Sequence, residues 1–211
     1  MQARFIAVEG PIGVGKSSLV ELLATRYNAV RVLEKIENPF LRDFYREKSG
    51  AAFQTQLFFL LNRYMQQRDL AQSDLFHQVT LCDYLFAKDK IFAYLNLDDA
   101  ELMIYEKLYG LLADTIPRPD LVIYLQATPA VLSERIRRRK RDYEAEISDK
   151  YLEDLNQAYN YFFYHYTETP LLVINTTDID FVQNESDLED LVGQIQNMGR
   201  GVQYYMPMSK R

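Results

Sequence analysis

The sequence predicts an α/β fold: a parallel sheet of five strands with helices on both faces. Three observations point there. Short apolar, β-branched or aromatic segments at about 4–8, 29–33, 78–82, 121–126 and 171–175 alternate with stretches of helical periodicity long enough to be crossovers. A glycine-rich loop stands between the first such strand and the first helix. The length, 211 residues, suits one full domain and is short for two, and no linker, internal repeat or low-complexity stretch divides it. Residues 1–198 are expected to form that domain, with 199–211 as a C-terminal tail.

Each element has its own signal. Phe5-Ile6-Ala7-Val8 reads as a buried strand, and Leu19, Val20, Leu22 and Leu23 repeat with helical spacing after the loop. Val30-Arg31-Val32-Leu33 makes the second strand and runs into Glu34. The longest helix is expected from about Ala51 to Ser73, where Phe53, Leu57, Leu60, Leu61 and Tyr64 share one side that Phe58 and Phe59 widen. Val79-Thr80-Leu81-Cys82 makes a strand that ends on Asp83, and Leu102, Tyr105, Leu108, Leu111 and Leu112 mark a helix from about Asp98 to Thr115. The extra apolar width of these two helices fits packing between subunits and, equally, burial under neighbouring helices of the same chain.

After the fourth strand, Thr128-Pro129 supplies an N-cap and a proline at the first helical position. That helix carries the run Arg135-Ile136-Arg137-Arg138-Arg139-Lys140-Arg141. Ser186-Asp187-Leu188-Glu189 fits a capping box and is expected to open the last helix. Beyond Met198 no periodicity is visible; this tail is expected to be mobile or to pack on a partner.

Composition narrows the function classes. An apolar fraction of 48% is ordinary for a soluble globular protein, and no run approaches a membrane span. The N-terminus lacks a basic segment followed by an apolar one, so a cytoplasmic location is expected. The single cysteine, Cys82, cannot form an internal disulfide or a cysteine metal cluster, and two histidines, His77 and His165, are too few for an imidazole zinc site. Any metal is expected to be magnesium on oxygen ligands. A net charge of -6 argues against a nucleic-acid-binding surface.

The most informative stretch is Gly10-Pro11-Ile12-Gly13-Val14-Gly15-Lys16-Ser17, which fits G-x-x-x-x-G-K-[ST]. Glycines let successive N–H groups turn onto phosphate oxygens, and the following helix adds its positive end. Gly10, Gly13, Gly15, Lys16, Ser17 and Ser18 therefore form the candidate phosphate cradle. Lys16 would reach the β- and γ-phosphates and the Ser17 hydroxyl would ligate magnesium.

Phosphoryl transfer needs more, and the sheet edge carrying the loop is where it belongs. Asp83 puts a carboxylate just past the third strand, a good metal position. An aspartate that merely ends a strand is the bland alternative. Glu34 ends the second strand, as a carboxylate aimed at an acceptor hydroxyl or as a solvated charge. Arg135 and Arg139 lie four apart on one helix face and Arg141 follows, so the three are expected to form a lid over developing phosphate charge.

At this point the chain resembles the deoxyribonucleoside kinases, which transfer the γ-phosphate of ATP to the 5′-hydroxyl of a deoxynucleoside. The likeness is carried by Phe5 to Lys16, by Glu34-Lys35-Ile36-Glu37-Asn38-Pro39-Phe40-Leu41 followed by Phe44-Tyr45, and by Gln56 with Arg63 seven residues on. It implies a P-loop kinase fold with an arginine-rich lid, ATP and Mg2+ as cofactors, a homodimer, and a purine deoxynucleoside as the expected substrate, with deoxycytidine as the alternative that Gln56 and Asp89 could also serve. Residue by residue, it implies Glu34 as the carboxylate on the 5′-hydroxyl and candidate general base, with Glu37 as the alternative for that role. It implies Tyr45 and Glu144 on the sugar 3′-hydroxyl, and Gln56 helped by Asp89 on the base edge. Ile179-Asp180-Phe181 resembles the loop that encloses the adenine of ATP.

The chain departs from the family in one place. An acidic residue, arginine and serine usually follow the third strand; here the sequence is Asp83-Tyr84-Leu85. Tyr84 cannot supply a guanidinium, and Lys88, one helical turn away, offers a point charge instead. Two alternatives follow. One is a nucleotide-binding regulatory module with weakened catalysis. The other is a kinase for another small hydroxyl substrate or a nucleoside monophosphate, although residues 34–63 offer only scattered cations such as Arg42, Arg46 and Arg63.

Overall fold

A computed structural model describes residues 3–73, 79–139, 141, 144 and 147–207. His77, Lys140, residue 78 of the expected third strand and residues 208–211 of the tail lie outside them. Strands β1 (Phe5–Glu9), β2 (Val30–Val32), β3 (Thr80–Cys82), β4 (Leu121–Gln126), β5 (Leu171–Asn175) and β6 (Val202–Tyr205) form one sheet in the order β2-β3-β1-β4-β5-β6. Every pairing is parallel. The helices are α1 (Lys16–Tyr27), α2 (Leu41–Tyr45), α3 (Ala51–Ser73), α4 (Asp89–Asn96), α5 (Asp99–Ala113), α6 (Pro129–Arg139), α7 (Asp149–Tyr164) and α8 (Glu185–Gln196), with a 3-10 turn at Phe86–Lys88.

Strands β1, β4 and β5 are apolar on both sides because each side meets helices. Ile6 and Val8, Ile123 and Leu125, and Leu172 and Ile174 pack with Leu19 of α1, Leu132 and Ile136 of α6 and Leu191 and Ile195 of α8. The alternate residues Ala7, Val122, Tyr124, Leu171 and Val173 face the other way, onto Ile91 of α4 and Leu155, Tyr159 and Phe163 of α7. A smaller cluster joins Leu60 of α3, Phe86, Ala93 and Tyr105 of α5.

The fold departs from the sequence expectation in three ways. The sheet has six strands, not five: Val202–Tyr205 adds a parallel edge strand inside the segment expected to be an aperiodic tail. An edge strand is held by main-chain bonds to one neighbour, and its largely exposed side chains leave no core pattern to read. The second strand is also an edge, with Val30 exposed, although it reads as buried. The last helix is capped by Asn184, whose side chain accepts from the Ser186 N–H at 3.0 Å, so the Ser186–Glu189 box lies inside it. A capping box does occur at Asp98 and Glu101, opening α5.

Candidate active site

The carboxyl ends of β1, β2 and β3 open into a cleft of about 390 Å3, walled by α3, α2 and α7. On one side stands the glycine-rich loop, closed by the Val14 N–H donating to the Pro11 carbonyl at 3.3 Å. Gly13 sits at φ 86, and a Cβ there would lie 2.8 Å from Ile136 Cγ1 and 2.9 Å from the Leu132 carbonyl oxygen of α6. Only glycine lets the loop run that close to the lid helix. Lys16 Nζ donates to the Gly10 carbonyl at 2.7 Å and the Pro11 carbonyl at 3.2 Å. Burial, reinforced by the charge of Lys88, brings its pKa down to about 8 against the pull of Glu9, Glu34 and Asp83.

Asp83 stands where β3 ends; its N–H still continues the ladder to the Val32 carbonyl at 3.1 Å. Its Oδ2 accepts from the Ser17 hydroxyl at 2.5 Å and its Oδ1 from the Glu34 N–H at 2.6 Å. One carboxylate thus ties the phosphate loop to the end of the second strand.

Glu34 is held between two cations. Its Oε1 accepts from Arg63 Nε at 2.8 Å and NH2 at 2.5 Å, and its Oε2 from Lys88 Nζ at 2.7 Å. Burial alone would raise its pKa, but the charges of Arg63 and Lys88 and their hydrogen bonds outweigh that and hold the carboxyl well below the usual range.

The helical period of α3 brings Ala52, Thr55, Gln56, Phe59 and Arg63 to one face of the cleft. Gln56 Nε2 donates to the backbone carbonyl and to Oδ2 of Asp89, each at 2.8 Å. Two acceptors there fix the amide orientation and leave Oε1 free of them. Asp89 is fully buried beneath the cleft and also takes Arg63 NH1 and, at 3.0 Å, the Tyr105 hydroxyl. Tyr45 lines the cleft with its ring centroid 6.4 Å from that of Tyr151.

The lid residues divide. Arg139, Arg141 and Glu144 line the cleft, and both arginines pair with Glu144, whose side chain is buried. Arg135 is placed elsewhere. Its NH1 donates to the Val14 carbonyl at 3.3 Å and to Thr176 Oγ1 at 3.1 Å, and its NH2 to the carbonyls of Thr176 at 2.8 Å and Ile179 at 3.1 Å. It clasps α6 to the phosphate loop and to the loop after β5. In that second loop Phe181 is buried, with its ring 3.0 Å from where a Cβ on Gly15 would be, and Asp180 turns its Oδ1 back onto the N–H groups of Val182 and Gln183. Neither lines the cleft, and Ser18 sits in the first turn of α1.

Other cleft residues have no motif to announce them. Tyr151 and Tyr159, eight apart on α7, and Phe92 and Asn96 of α4 complete the wall. Glu9, fully buried at the end of β1, accepts from the N–H groups of Gly10 and Leu85, each at 2.8 Å, and from the Tyr159 hydroxyl at 3.1 Å. A charge closing an apolar strand was the available signal for Glu9. Tyr84 is fully buried, so the position that lacks arginine does not open on the cleft.

Residues 6–199 match the family model described as deoxynucleoside kinase. The chain is 37% identical over 202 residues to a deoxyguanosine kinase of Bacillus subtilis, covering 93% of this chain and 98% of that one. It is 32% identical over 207 residues to a deoxyadenosine kinase of Dictyostelium discoideum, covering 94% and 82%. Among solved structures, deoxyadenosine kinase from M. mycoides with bound dATP superposes with a TM-score of 0.80 at 23% identity, over 92% of this chain and all of that one, a likeness of fold.

Proposed function

This chain belongs to the deoxynucleoside kinase family, and from that premise we propose that it transfers the γ-phosphate of ATP to the 5′-hydroxyl of a purine deoxynucleoside. The observation that carries the reading is Asp83. It touches Ser17 of the phosphate loop on one oxygen and the Glu34 backbone on the other, so phosphate donor and hydroxyl acceptor meet at one carboxylate. Lys16, held by loop carbonyls, would turn its ammonium to the β- and γ-phosphates. Ser17 and Asp83 offer the hard oxygen donors that Mg2+ favours, a pair completed by phosphate oxygens, and magnesium bound there would offset phosphate charge.

Glu34 orients the acceptor. Its carboxylate stays ionised between Arg63 and Lys88 and accepts the hydrogen bond of the 5′-hydroxyl. In a loose transition state the attacking oxygen keeps its proton until late, so position outweighs basicity. The oxygen bonds to the γ-phosphorus as the bond to the ADP oxygen breaks, and the proton passes to Glu34 or directly to phosphate. Arg139 and Arg141 would then leave Glu144 to neutralise the moving phosphoryl group, freeing Glu144 for the sugar 3′-hydroxyl beside Tyr45. Arg135, Asp180 and Phe181 belong in this reading to the ATP side, where Arg135 holds the loop that would border the adenine.

The base would lie between Phe92 and the α3 face, with Gln56 Oε1 accepting from an N–H of the base and Asp89 holding Gln56 in place. Purine preference rests on relatives that are a deoxyguanosine and a deoxyadenosine kinase. Homodimer formation is supported by exposed apolar side chains on three helices: Tyr94 on α4, Met103, Ile104 and Leu111 on α5, and Tyr161 and Tyr164 on α7. A free, buried Cys82 and the use of ATP fit a cytoplasmic location. The four deoxynucleosides, assayed with ATP and Mg2+, test the function. Deoxyguanosine or deoxyadenosine should exceed thymidine in kcat/KM by about tenfold or more. Preference for thymidine or deoxycytidine, or no turnover of any of the four, would overturn it.

A further inference from the structure

The ammonium of Lys88 is buried at the end of the 3-10 turn, with 3% of the residue exposed. A buried ammonium needs acceptors. It has two carboxylates, Glu34 Oε2 at 2.7 Å and Glu9 Oε2 at 3.7 Å. Glu9 already has three donors of its own, from Gly10, Leu85 and Tyr159. The short contact of Lys88 is therefore with Glu34.

What Lys88 adds there follows from how Arg63 binds. A guanidinium that grips both oxygens of a carboxylate fixes its plane. Arg63 does not: Nε and NH2 both go to Oε1, while NH1 goes to Asp89. The terminal torsion of glutamate is broad, with no sharp staggered wells. Held by Oε1 alone, the carboxylate could swing Oε2 through a wide arc. Lys88 is the donor on Oε2, and its backbone is anchored by its N–H to the Leu85 carbonyl at 3.1 Å.

We propose that Lys88 is a positioning residue for phosphoryl transfer: it fixes the plane of the Glu34 carboxylate, so that the acceptor hydroxyl is presented in line with the phosphate held by Lys16. The inference rests on the kinase reading above. It also assigns the cation at this end of the sheet to the 3-10 turn, not to position 84, whose tyrosine is buried.

A double-mutant cycle tests it. Lys88→Met keeps an unbranched chain only one atom shorter and removes the donor. Its kcat should fall roughly a hundredfold, the scale of a misplaced reacting group, while the Kd for ATP, measured by direct binding, stays within about twofold. Lys88→Arg, which keeps a donor and a charge, should recover at least about tenfold of that loss. In a Glu34→Gln background, Lys88→Met should cost less than about threefold more, since the carboxylate it positions is gone. Equal losses in the two backgrounds would show that Lys88 acts independently of Glu34 and would overturn the proposal. So would a Lys88→Met kcat within about threefold of the unmodified enzyme, or a Lys88→Arg variant that folds, by its unfolding transition, yet is as slow as Lys88→Met. Turnover of the unmodified chain tests the kinase reading by itself; the ratios among variants test Lys88.

Discussion

Replacing Arg63 by methionine should destabilise this protein more than the loss of any surface charge. Arg63 is 4% exposed and serves two carboxylates at once, Glu34 and the fully buried Asp89, with its guanidinium 4.9 Å from the centre of the Phe59 ring. Methionine fills much of the same volume but supplies no donor. Glu34 would keep Lys88, and Asp89 Oδ2 would keep Gln56 and Tyr105, whereas Asp89 Oδ1 would lose its guanidinium donor. Breaking a buried pair by removing one partner costs about 3–5 kcal/mol, because the remaining charge stays in a poorly solvating interior. At about 2–4 °C per kcal/mol for a chain of this size, the melting temperature should fall by roughly 6–20 °C near pH 7.5.

The pH dependence has a definite sign. In the unmodified protein the Glu34 pKa lies below its unfolded value, so its contribution is present above about pH 4.3 and is lost as the pH falls. In the variant a carboxylate without its cation has a raised folded pKa, so its stability is present at low pH and is lost as the pH rises. The first contribution is nearly complete at pH 4.5, so the second widens the gap between the two proteins from about pH 4.5 to about pH 7.5. Thermal melts followed by circular dichroism at the two pH values measure it. A gap below about 1 kcal/mol, or one of equal size at both pH values, would refute the argument that Arg63 stabilises these carboxylates by charge.

Lys16→Ala should lower kcat by about a hundredfold to a thousandfold in steady-state assays, since in the proposed reading its charge would act on the transferring phosphate. Gly13→Ala should raise the KM for ATP and lower the melting temperature, because the new methyl group would meet Ile136 and the Leu132 carbonyl; ATP titrations and melts equal to the parent protein would contradict that packing. Tyr45→Phe should raise the KM for the deoxynucleoside by roughly twofold to tenfold, equivalent to one hydrogen bond of about 0.5–1.5 kcal/mol, and leave the KM for ATP alone. With the Lys16 pKa near 8 in the free enzyme, kcat/KM for ATP should decline as the pH rises through about 8. The plateau in kcat should extend to higher pH, since bound phosphates favour the charged ammonium.

Local patterns carry much of this protein. The phosphate loop, its strand and helix, the α3 face bearing Gln56 and Arg63, and the carboxylates closing the second and third strands all lie within one element of their signal. So does the alternation that predicts a parallel sheet. Sequence spacing treats the missing arginine at position 84 as a missing charge. In the fold Tyr84 turns inward, and Lys88 is the lysine that pairs with Glu34.

The sequence by itself determined which groups exist and the secondary structure that carries them, because helical and strand periods depend on near neighbours. Only the tertiary structure decided which groups meet. Ser17 and Asp83 are 66 residues apart, Glu34 and Lys88 54, and Glu34 and Arg63 29. It also placed Arg135 as a clasp and added β6 to the sheet edge. These arrangements depend on burial and on hydrogen bonds between distant segments, which no local period records.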